Sequence, residues 1–231
     1  MDDSTAVVTG ATSGIGRAVA AACADEGAHV VACARDADEI ADVVAEIEAS
    51  GGTATGVRAD VRDEFDVERL VETAARVAGD GIEYVFANAG VFHGSPGDEP
   101  IDAESYSTYD DHLRTNGRGV FATIKEAKPH LTDSARVIVP TGSVARDAKA
   151  GIGSYAVSKA TAEAVARAFA VDIEQTVGCV DPGQVATDLS GPDGRAPEDV
   201  APLFLWAATE ADPEELDGAV LGLREWKMAT R

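Results

Sequence analysis

A tyrosine and a lysine stand four residues apart in an alanine-rich segment, as Tyr155 and Lys159. In a helix, this spacing places both side chains on one face, one turn apart. A lysine ammonium favours the phenolate form of a neighbouring tyrosine, whose ordinary pKa of about 10 must fall by about three units for work near neutral pH. The pair therefore predicts a phenol that takes and gives a proton. The alternative is surface packing, in which a lysine stem lies across a ring.

A second candidate site lies near the N-terminus, where glycines separate a short apolar run from a helical pattern. The segment reads T-G-A-T-S-G-I-G, and the residues that would surround a ligand are Gly10, Thr12, Ser13, Gly14, Ile15 and Gly16. Glycines permit a tight turn and the close approach of a pyrophosphate, while a helix N-terminus offers free N–H groups and a positive dipole end. The segment predicts a dinucleotide-binding turn, although glycines also serve ordinary turns.

These two sites must be positioned by an alternation of apolar runs and helical patterns that continues along the whole chain. Helices are predicted between the apolar runs, including long ones at Tyr106–His130 and Tyr155–Glu174. The predicted strands are Thr5–Thr9, His29–Cys33, Thr55–Ala59, Glu83–Ala87, Arg136–Pro140, Val177–Val180 and Ala219–Leu223. The alternation predicts an α/β fold, a single doubly wound domain over residues 1–231 whose parallel sheet of about seven strands carries helices on both faces. Ligands of such sheets bind at the carboxyl ends of the strands.

The composition limits the possible partners and the cellular compartment. Asp and Glu number 41 against 19 Lys and Arg, a net charge of −22, and this surface is expected to repel nucleic acids and anionic membranes. Acidic residues are dispersed along the chain, and only five residues are lysines. A protein can tolerate such a surface in molar salt, because the Debye length there is about 3 Å and repulsion between like charges is screened. We therefore interpret the chain as a halophile's protein. Three unpaired cysteines and the absence of a visible signal peptide predict a cytoplasmic location. The four histidines share no metal-ligand spacing, so no metal is expected.

The motifs together resemble the short-chain dehydrogenase/reductase family, in its one-domain branch. The resemblance covers residues 5 to about 190 and includes T-G-x-x-x-G-x-G and the pattern S-x11-Y-x-x-x-K, formed by Ser143, Tyr155 and Lys159. It extends to further positions that follow the predicted strands or lie in the long central helix: Asp60, Val61, Asn88, Ala89, Gly90, Asn116, Pro182, Gly183, Val185 and Thr187. Ala87 departs from the pattern, because the family more often has a second Asn there.

The resemblance implies an oxidoreductase that moves a hydride between a nicotinamide and a small ketone, aldehyde or secondary alcohol. It assigns Tyr155 as general acid and base, with Lys159 beside it, and Ser143 as a hydrogen-bond partner of the substrate oxygen. Asn116 would serve structurally and in proton relay. Among the cofactor positions, the Asp60–Val61 pair would contact adenine, and the loop from Pro182 to Thr187 would hold the nicotinamide end.

The choice between the two nicotinamide cofactors depends on the end of the second strand. An acid there binds the ribose 2′-hydroxyl of NAD, whereas an Arg binds the 2′-phosphate of NADP. In the family's alignment, Ala34 takes the place of the acid and Arg35 that of the phosphate-binding Arg. NADP(H) is therefore favoured, and Asp36, which either caps the next helix or repels a phosphate, leaves NAD(H) open.

Two other functions remain possible alternatives, and the family resemblance also implies a homo-oligomer. A 3-oxoacyl thioester reductase would need a basic patch, for which Arg118, Arg146 and Lys149 are the candidates. A non-catalytic dinucleotide-sensing regulator would not need Ser143 or Tyr155. The resemblance also implies a homodimer or homotetramer formed by the two long helices. The short segment 184–195 and the unusual C-terminus depart from the family and leave the substrate open.

Overall fold

Seven short runs of small and β-branched residues form the strands of one sheet in the structure, a computed structural model that describes residues 1–231. All neighbouring strands are parallel, in the order β3-β2-β1-β4-β5-β6-β7. The strands are β1 Thr5–Thr9, β2 His29–Ala34, β3 Thr53–Arg58, β4 Ile82–Phe86, β5 Leu131–Pro140, β6 Thr176–Asp181 and β7 Val220–Gly222. The strand order reverses between β1 and β4, which opens a crevice at their carboxyl ends.

Helices cover both faces of this sheet, as the sequence predicts for a doubly wound fold. They are α1 Gly14–Asp25, α2 Ala37–Ala49, α3 Glu64–Ala78, α4 Tyr106–His112, α5 Gly119–Ala127, α6 Gly153–Asp172, α7 Pro197–Thr209, α8 Pro213–Leu216 and α9 Leu223–Ala229. One apolar core lies under α1, α2 and α7, and a separate one under α3, α5 and α6. All five residues of β1 are buried because both faces are covered. The predicted fold class and strand number are confirmed. None of the helices is both long and apolar enough to cross a bilayer.

The helix predicted at Tyr106–His130 is not uniform. Helix α4 continues into a π-helical segment, Leu113–Arg118, before α5 begins, and a 3₁₀ turn at Lys128–His130 precedes β5. Strand β5 then starts at Leu131, five residues before the predicted Arg136. This start was not predicted, because Leu131 is followed by three polar residues, of which two are exposed.

The C-terminal segment also differs from the prediction. Strand β7 ends at Gly222, and Leu223 begins a helix that was not predicted. The carboxylate of Glu225 accepts the N–H of Gly222 at 3.0 Å and caps this helix. The unusual Arg-Glu-Trp sequence therefore serves as the first turn of α9.

Candidate active site

The glycine-rich turn between β1 and α1 requires glycine for steric reasons. Gly10 has a φ of +65°, and a Cβ there would lie 2.8 Å from the Cα of Ala89. A Cβ on Gly16 would lie 2.2 Å from the carbonyl oxygen of Gly10. Ser13 precedes α1 but its side chain does not cap the helix. The first N–H groups of α1 are therefore left to bind a ligand at the positive end of the helix dipole.

Asn88 ties the end of β4 to the glycine turn. Its amide nitrogen donates to the carbonyl oxygens of Thr9 at 3.0 Å and Gly10 at 3.1 Å. The N–H of Ala89 donates to the hydroxyl of Thr9 at 3.0 Å. These bonds fix the ends of β1 and β4 relative to each other, so that Asn88 supports the turn. Asn88 also borders the cleft that lies at the carboxyl ends of the strands.

The two residues that follow β2, Arg35 and Asp36, bear on the choice of cofactor, and their contacts differ. The carboxylate of Asp36 accepts the N–H groups of Asp38 at 2.9 Å and Glu39 at 3.1 Å, so it caps α2. Arg35 is exposed, borders the cleft and forms no ion pair. Of the two roles that the sequence left open for Asp36, the structure shows the cap. Arg35 is free to meet an anion.

Asp60 also lines the cleft, as Arg35 does, and its carboxylate is paired with Arg62. Arg62 donates to it through Nε at 3.0 Å and Nη2 at 2.7 Å, and these hydrogen bonds lower the pKa of Asp60. Arg62 also binds Asp111 at 2.6 Å. Asp60 is thus a fixed acceptor at the edge of the cleft, charged throughout the neutral range.

The residues predicted to carry the chemistry meet at the other end of the cleft. Tyr155 and Lys159 lie one turn apart near the start of α6, with the Lys159 Nζ 5.8 Å from the centre of the Tyr155 ring. Lys159 also donates to the carbonyl oxygen of Pro140, the last residue of β5, at 3.1 Å. Ser143 opens a 3₁₀ turn just beyond β5 and borders the same cleft.

In the chain alone, burial determines the pKa values of this pair. Burial raises the pKa of Tyr155 to about 12, and burial lowers the pKa of Lys159 to about 8, against the opposing effects of Cys179 and Glu163. In the chain alone the tyrosine is therefore a neutral phenol, and Lys159 does not bring it to a phenolate. A phenolate near neutral pH needs a further positive charge in the cleft.

Asn116 lies in the π-helical segment rather than in a regular helix. Its side-chain oxygen accepts the N–H of Val91 at 2.8 Å, and its nitrogen donates to the carbonyl oxygen of Val91 at 2.9 Å and to Ser158 at 2.8 Å. π-helical turns often occur at functional sites, and here the turn directs Asn116 at the segment after β4. The structural role is visible in these contacts, whereas a role in proton relay stays a prediction.

Of the four histidines, His112 lies beside Tyr155, and His93 lies beside His112. The buried His112 ring lies 6.1 Å from the Tyr155 ring, edge to face, and the His93 ring lies 5.1 Å from that of His112. No group of three or more His, Cys, Asp or Glu side chains is arranged to hold a metal ion. The sequence contained one signal for the position of His112 near the site: it stands four residues before Asn116, one helical turn away in the same predicted helix.

A single cleft of about 1070 Å³ joins the two ends. Gly16 and Asn116 lie behind its surface and support it. The remaining predicted site residues all line it: Gly10, Thr12, Ser13, Gly14, Ile15, Arg35, Asp60, Val61, Asn88, Ala89, Gly90, Ser143, Tyr155, Lys159, Pro182, Gly183, Val185 and Thr187. The cleft is therefore continuous from the glycine turn to the tyrosine.

Comparison with known proteins decides the family. The family model for short chain dehydrogenases matches residues 4–197. The chain belongs to this family. An NADPH-dependent aldehyde reductase-like chloroplastic protein of Arabidopsis thaliana is 32% identical over 208 residues, which are 84% of this chain and 76% of that protein.

Solved structures of dehydrogenases agree with this assignment. A dehydrogenase/reductase from Sinorhizobium meliloti 1021 is 31% identical, with a TM-score of 0.86 over 96% of this chain and 94% of that one. A short chain dehydrogenase from Burkholderia cenocepacia J2315, solved in complex with NADP, is 29% identical, with a TM-score of 0.86 over 96% of both chains.

The residues of this short chain dehydrogenase fit the nicotinamide dinucleotide that its family implies. Glycines leave room at the first turn, where a Cβ on Gly14 would lie 3.0 Å from the side chain of Thr187. That contact places the loop after β6 directly across from the glycine turn. The turn would hold the pyrophosphate, Arg35 and Asp60 the adenosine end, and the loop from Pro182 to Thr187 the nicotinamide end.

Proposed function

We propose that this chain is an NADP(H)-dependent oxidoreductase that transfers a hydride between the nicotinamide and a small ketone, aldehyde or secondary alcohol. The observation that carries the proposal is the continuous cleft, with the glycine turn at one end and Ser143, Tyr155 and Lys159 at the other. When bound, the nicotinamide supplies or accepts the hydride. The protein residues bind, orient and move the proton.

The proton transfer is assigned to Tyr155. In carbonyl reduction its phenol donates a proton to the substrate oxygen, and in alcohol oxidation its phenolate takes that proton back. The hydroxyl of Ser143 donates a hydrogen bond to the same oxygen, where negative charge develops. Because burial raises the pKa of Tyr155 to about 12, the reduction direction starts from the protonation state that the chain already favours.

The preference for NADP(H) rests on Arg35. A guanidinium binds phosphate through paired, charge-assisted hydrogen bonds, and Arg35 has no partner in the chain that would compete. Asp36, which would repel a 2′-phosphate, has its carboxylate turned to the N-terminus of α2. The relatives named above include an NADPH-dependent aldehyde reductase-like protein and a structure with NADP, which supports the same choice.

The thioester-reductase alternative has less support than it had from the sequence. Arg146 is paired with Glu163 and Asp181, and Arg118 with Glu64, so only Lys149 of the three candidates lacks an ion pair. Paired arginines are poor sites for the phosphates of a carrier. The sensor alternative is less favoured because Ser143, Tyr155 and Lys159 all border the cleft.

The test is a titration in molar KCl of the purified protein with NADPH and NADH, followed by turnover with small aldehydes and ketones. Tighter binding of NADPH, with turnover that is lost in Tyr155→Phe, is the expected result. Tighter binding of NADH would contradict the role given to Arg35. Binding without turnover in either direction would favour the sensor.

The proposal extends to the setting of the enzyme. Of the 41 acidic residues, few have a buried side chain, among them Glu163 and Glu104, so most of the acid lies at the surface, as expected of a halophile's cytoplasmic protein. Tyr106, Phe121 and Val157, on α4, α5 and α6, are exposed, which supports a homodimer or homotetramer through these helices. Light scattering in molar KCl measures the assembly, and a monomer would contradict it.

A further inference from the structure

The segment that follows the N-A-G motif is held by three hydrogen bonds from one helix. Asn116 binds both the N–H and the carbonyl oxygen of Val91, at 2.8 and 2.9 Å. One turn earlier, Nε2 of His112 accepts the N–H of His93 at 3.0 Å. The backbone on both sides of Phe92 is therefore fixed, and Phe92 cannot shift without breaking one of these bonds.

His112 is itself locked in place. Because Nε2 accepts an N–H, the ring proton lies on Nδ1, which donates to the Ser154 hydroxyl at 2.7 Å and faces Glu104 at 3.3 Å. His112 and Ser154 are fully buried. Serine and glutamate share one ring nitrogen and the serine is inaccessible, so these three residues form no nucleophilic triad. Their arrangement fixes the orientation of the imidazole.

Phe92 lies between this locked imidazole and the tyrosine. Its ring centre is 4.9 Å from that of Tyr155, at an interplanar angle of 53°, and 5.9 Å from that of His112, at 18°. Phe92 is half-buried and lines the cleft, so part of its ring remains open to a ligand bound beside Tyr155.

The cleft also has apolar lining residues besides Phe92. They include Val91, Pro96, Val144, Ile152 and Leu189. Only 5% of the chain is Phe, Trp or Tyr, yet two of these rings and two imidazoles meet here. A flat apolar group bound in front of Tyr155 would contact a ring edge or face, a geometry worth more than its buried area alone.

We infer that Phe92 selects carbonyl compounds whose carbonyl carbon is attached to a flat aromatic ring, and that His112 is the positioning residue that holds Phe92 for this purpose. The inference rests on the proposed reductase function and names its substrate class. Phe92 contacts the substrate ring. His112 acts through Phe92 and does not touch the substrate.

The experiment compares benzaldehyde with cyclohexanecarbaldehyde, which has the same carbon skeleton but a puckered ring. The quantity measured is the ratio of their kcat/KM values with NADPH in molar KCl, so that differences in intrinsic reactivity cancel between variants. In Phe92→Leu, this ratio is expected to fall about 2- to 10-fold, the range of one aromatic pair. Phe92→Tyr, which keeps the ring, should retain it. Phe65→Leu, at an exposed ring outside the cleft, is the matched control.

The positioning role is tested separately with His112→Gln. The ratio should fall in the same direction as in Phe92→Leu, while the Kd for NADPH stays within about twofold, whereas a merely structural role would lower the melting temperature and leave the ratio unchanged. An unchanged ratio in Phe92→Leu overturns the selection of aromatic carbonyls. If the wild type binds NADPH but reduces neither aldehyde nor any other carbonyl, the proposed function fails, and with it the inference.

Discussion

The two halves of the cleft are built in different ways. The cofactor half consists mainly of backbone from one contiguous segment, the glycine turn and the start of α1, supported by Asn88. The substrate half is assembled from side chains far apart in the chain, with Phe92 after β4, His112 at the end of α4 and Tyr155 on α6. Binding the pyrophosphate of a common dinucleotide needs a turn with free N–H groups, whereas choosing a substrate needs side chains of particular shape.

The sharpest way to separate the halves is Tyr155→Phe. Removing the hydroxyl takes away the acid and base of the substrate half, and kcat should fall about 10²- to 10⁴-fold, the usual contribution of general acid–base catalysis. The Kd for NADPH should stay within about threefold, because the cofactor half is untouched. Stopped-flow turnover and fluorescence titration measure the two quantities. Tyr106→Phe, at an exposed ring, is the control. Equal loss of binding and turnover would show that the halves are not independent.

Arg35→Ala should have the next largest effect, within the cofactor half. Loss of charge-assisted hydrogen bonds to the 2′-phosphate should weaken NADPH binding about 10- to 100-fold. NADH, which lacks this phosphate, should bind as before. Arg58→Ala removes an exposed arginine at the end of the neighbouring strand that lies outside the cleft, and it controls for the change in net charge. A parallel loss of NADH affinity would be at odds with a phosphate-specific role.

Gly10→Ala tests the backbone basis of the cofactor half. The new Cβ would lie 2.8 Å from the Cα of Ala89 in a left-handed conformation, so the turn must shift. We expect about tenfold weaker binding of NADPH, together with a lower melting temperature. Gly51→Ala is the matched control, because it also has positive φ but no atom within 4 Å of an added Cβ. If both variants bind NADPH equally well, the steric argument is wrong.

The smallest expected effect is a change of stability with pH at Lys159. Burial lowers its pKa from 10.5 to about 8, so between these values the unfolded chain binds the extra proton and stability rises with pH. Lys159→Met carries no charge to bury. Its free energy of unfolding should therefore exceed that of the wild type by the largest amount at pH 7, and this difference should shrink towards pH 10. Urea unfolding at both pH values measures this. A difference that grows with pH would contradict the depressed pKa.

Much of the fold and of the cofactor half followed from local sequence. Runs such as Thr5–Thr9 are buried along their whole length and carry no charged residue, which marks a central parallel strand. The spacing of Gly10, Gly14 and Gly16 records contacts that only glycine permits. The start of β5 could not be predicted, because its first residue, Leu131, is followed by three polar residues, two of them exposed. The final helix depends on a cap from Glu225, whose effect is seen only once β7 ends at Gly222.

In the substrate half, the sequence identified Ser143, Tyr155 and Lys159 by spacing, but it could not show that Phe92 and His112 pack beside Tyr155. No short-range pattern links these two, since their rings meet only when α4 packs against the segment after β4. The pKa of Tyr155 likewise depends on the whole fold. Burial raises it to about 12 in the chain alone, so lowering it towards neutrality needs more positive charge than the adjacent Lys159 supplies.

The sequence by itself determined the strand and helix alternation, the glycine turn and the pair, Tyr155 and Lys159, for which we propose proton transfer, because each of these is encoded within short stretches of neighbouring residues. Only the tertiary structure decided that Asp36 caps α2 while Arg35 stays free, that Arg146 is paired with Glu163, and that Phe92 lies against Tyr155. These outcomes depend on which distant groups compete for each charge and on which surfaces lose contact with water. Neither quantity exists until the helices have packed on the sheet.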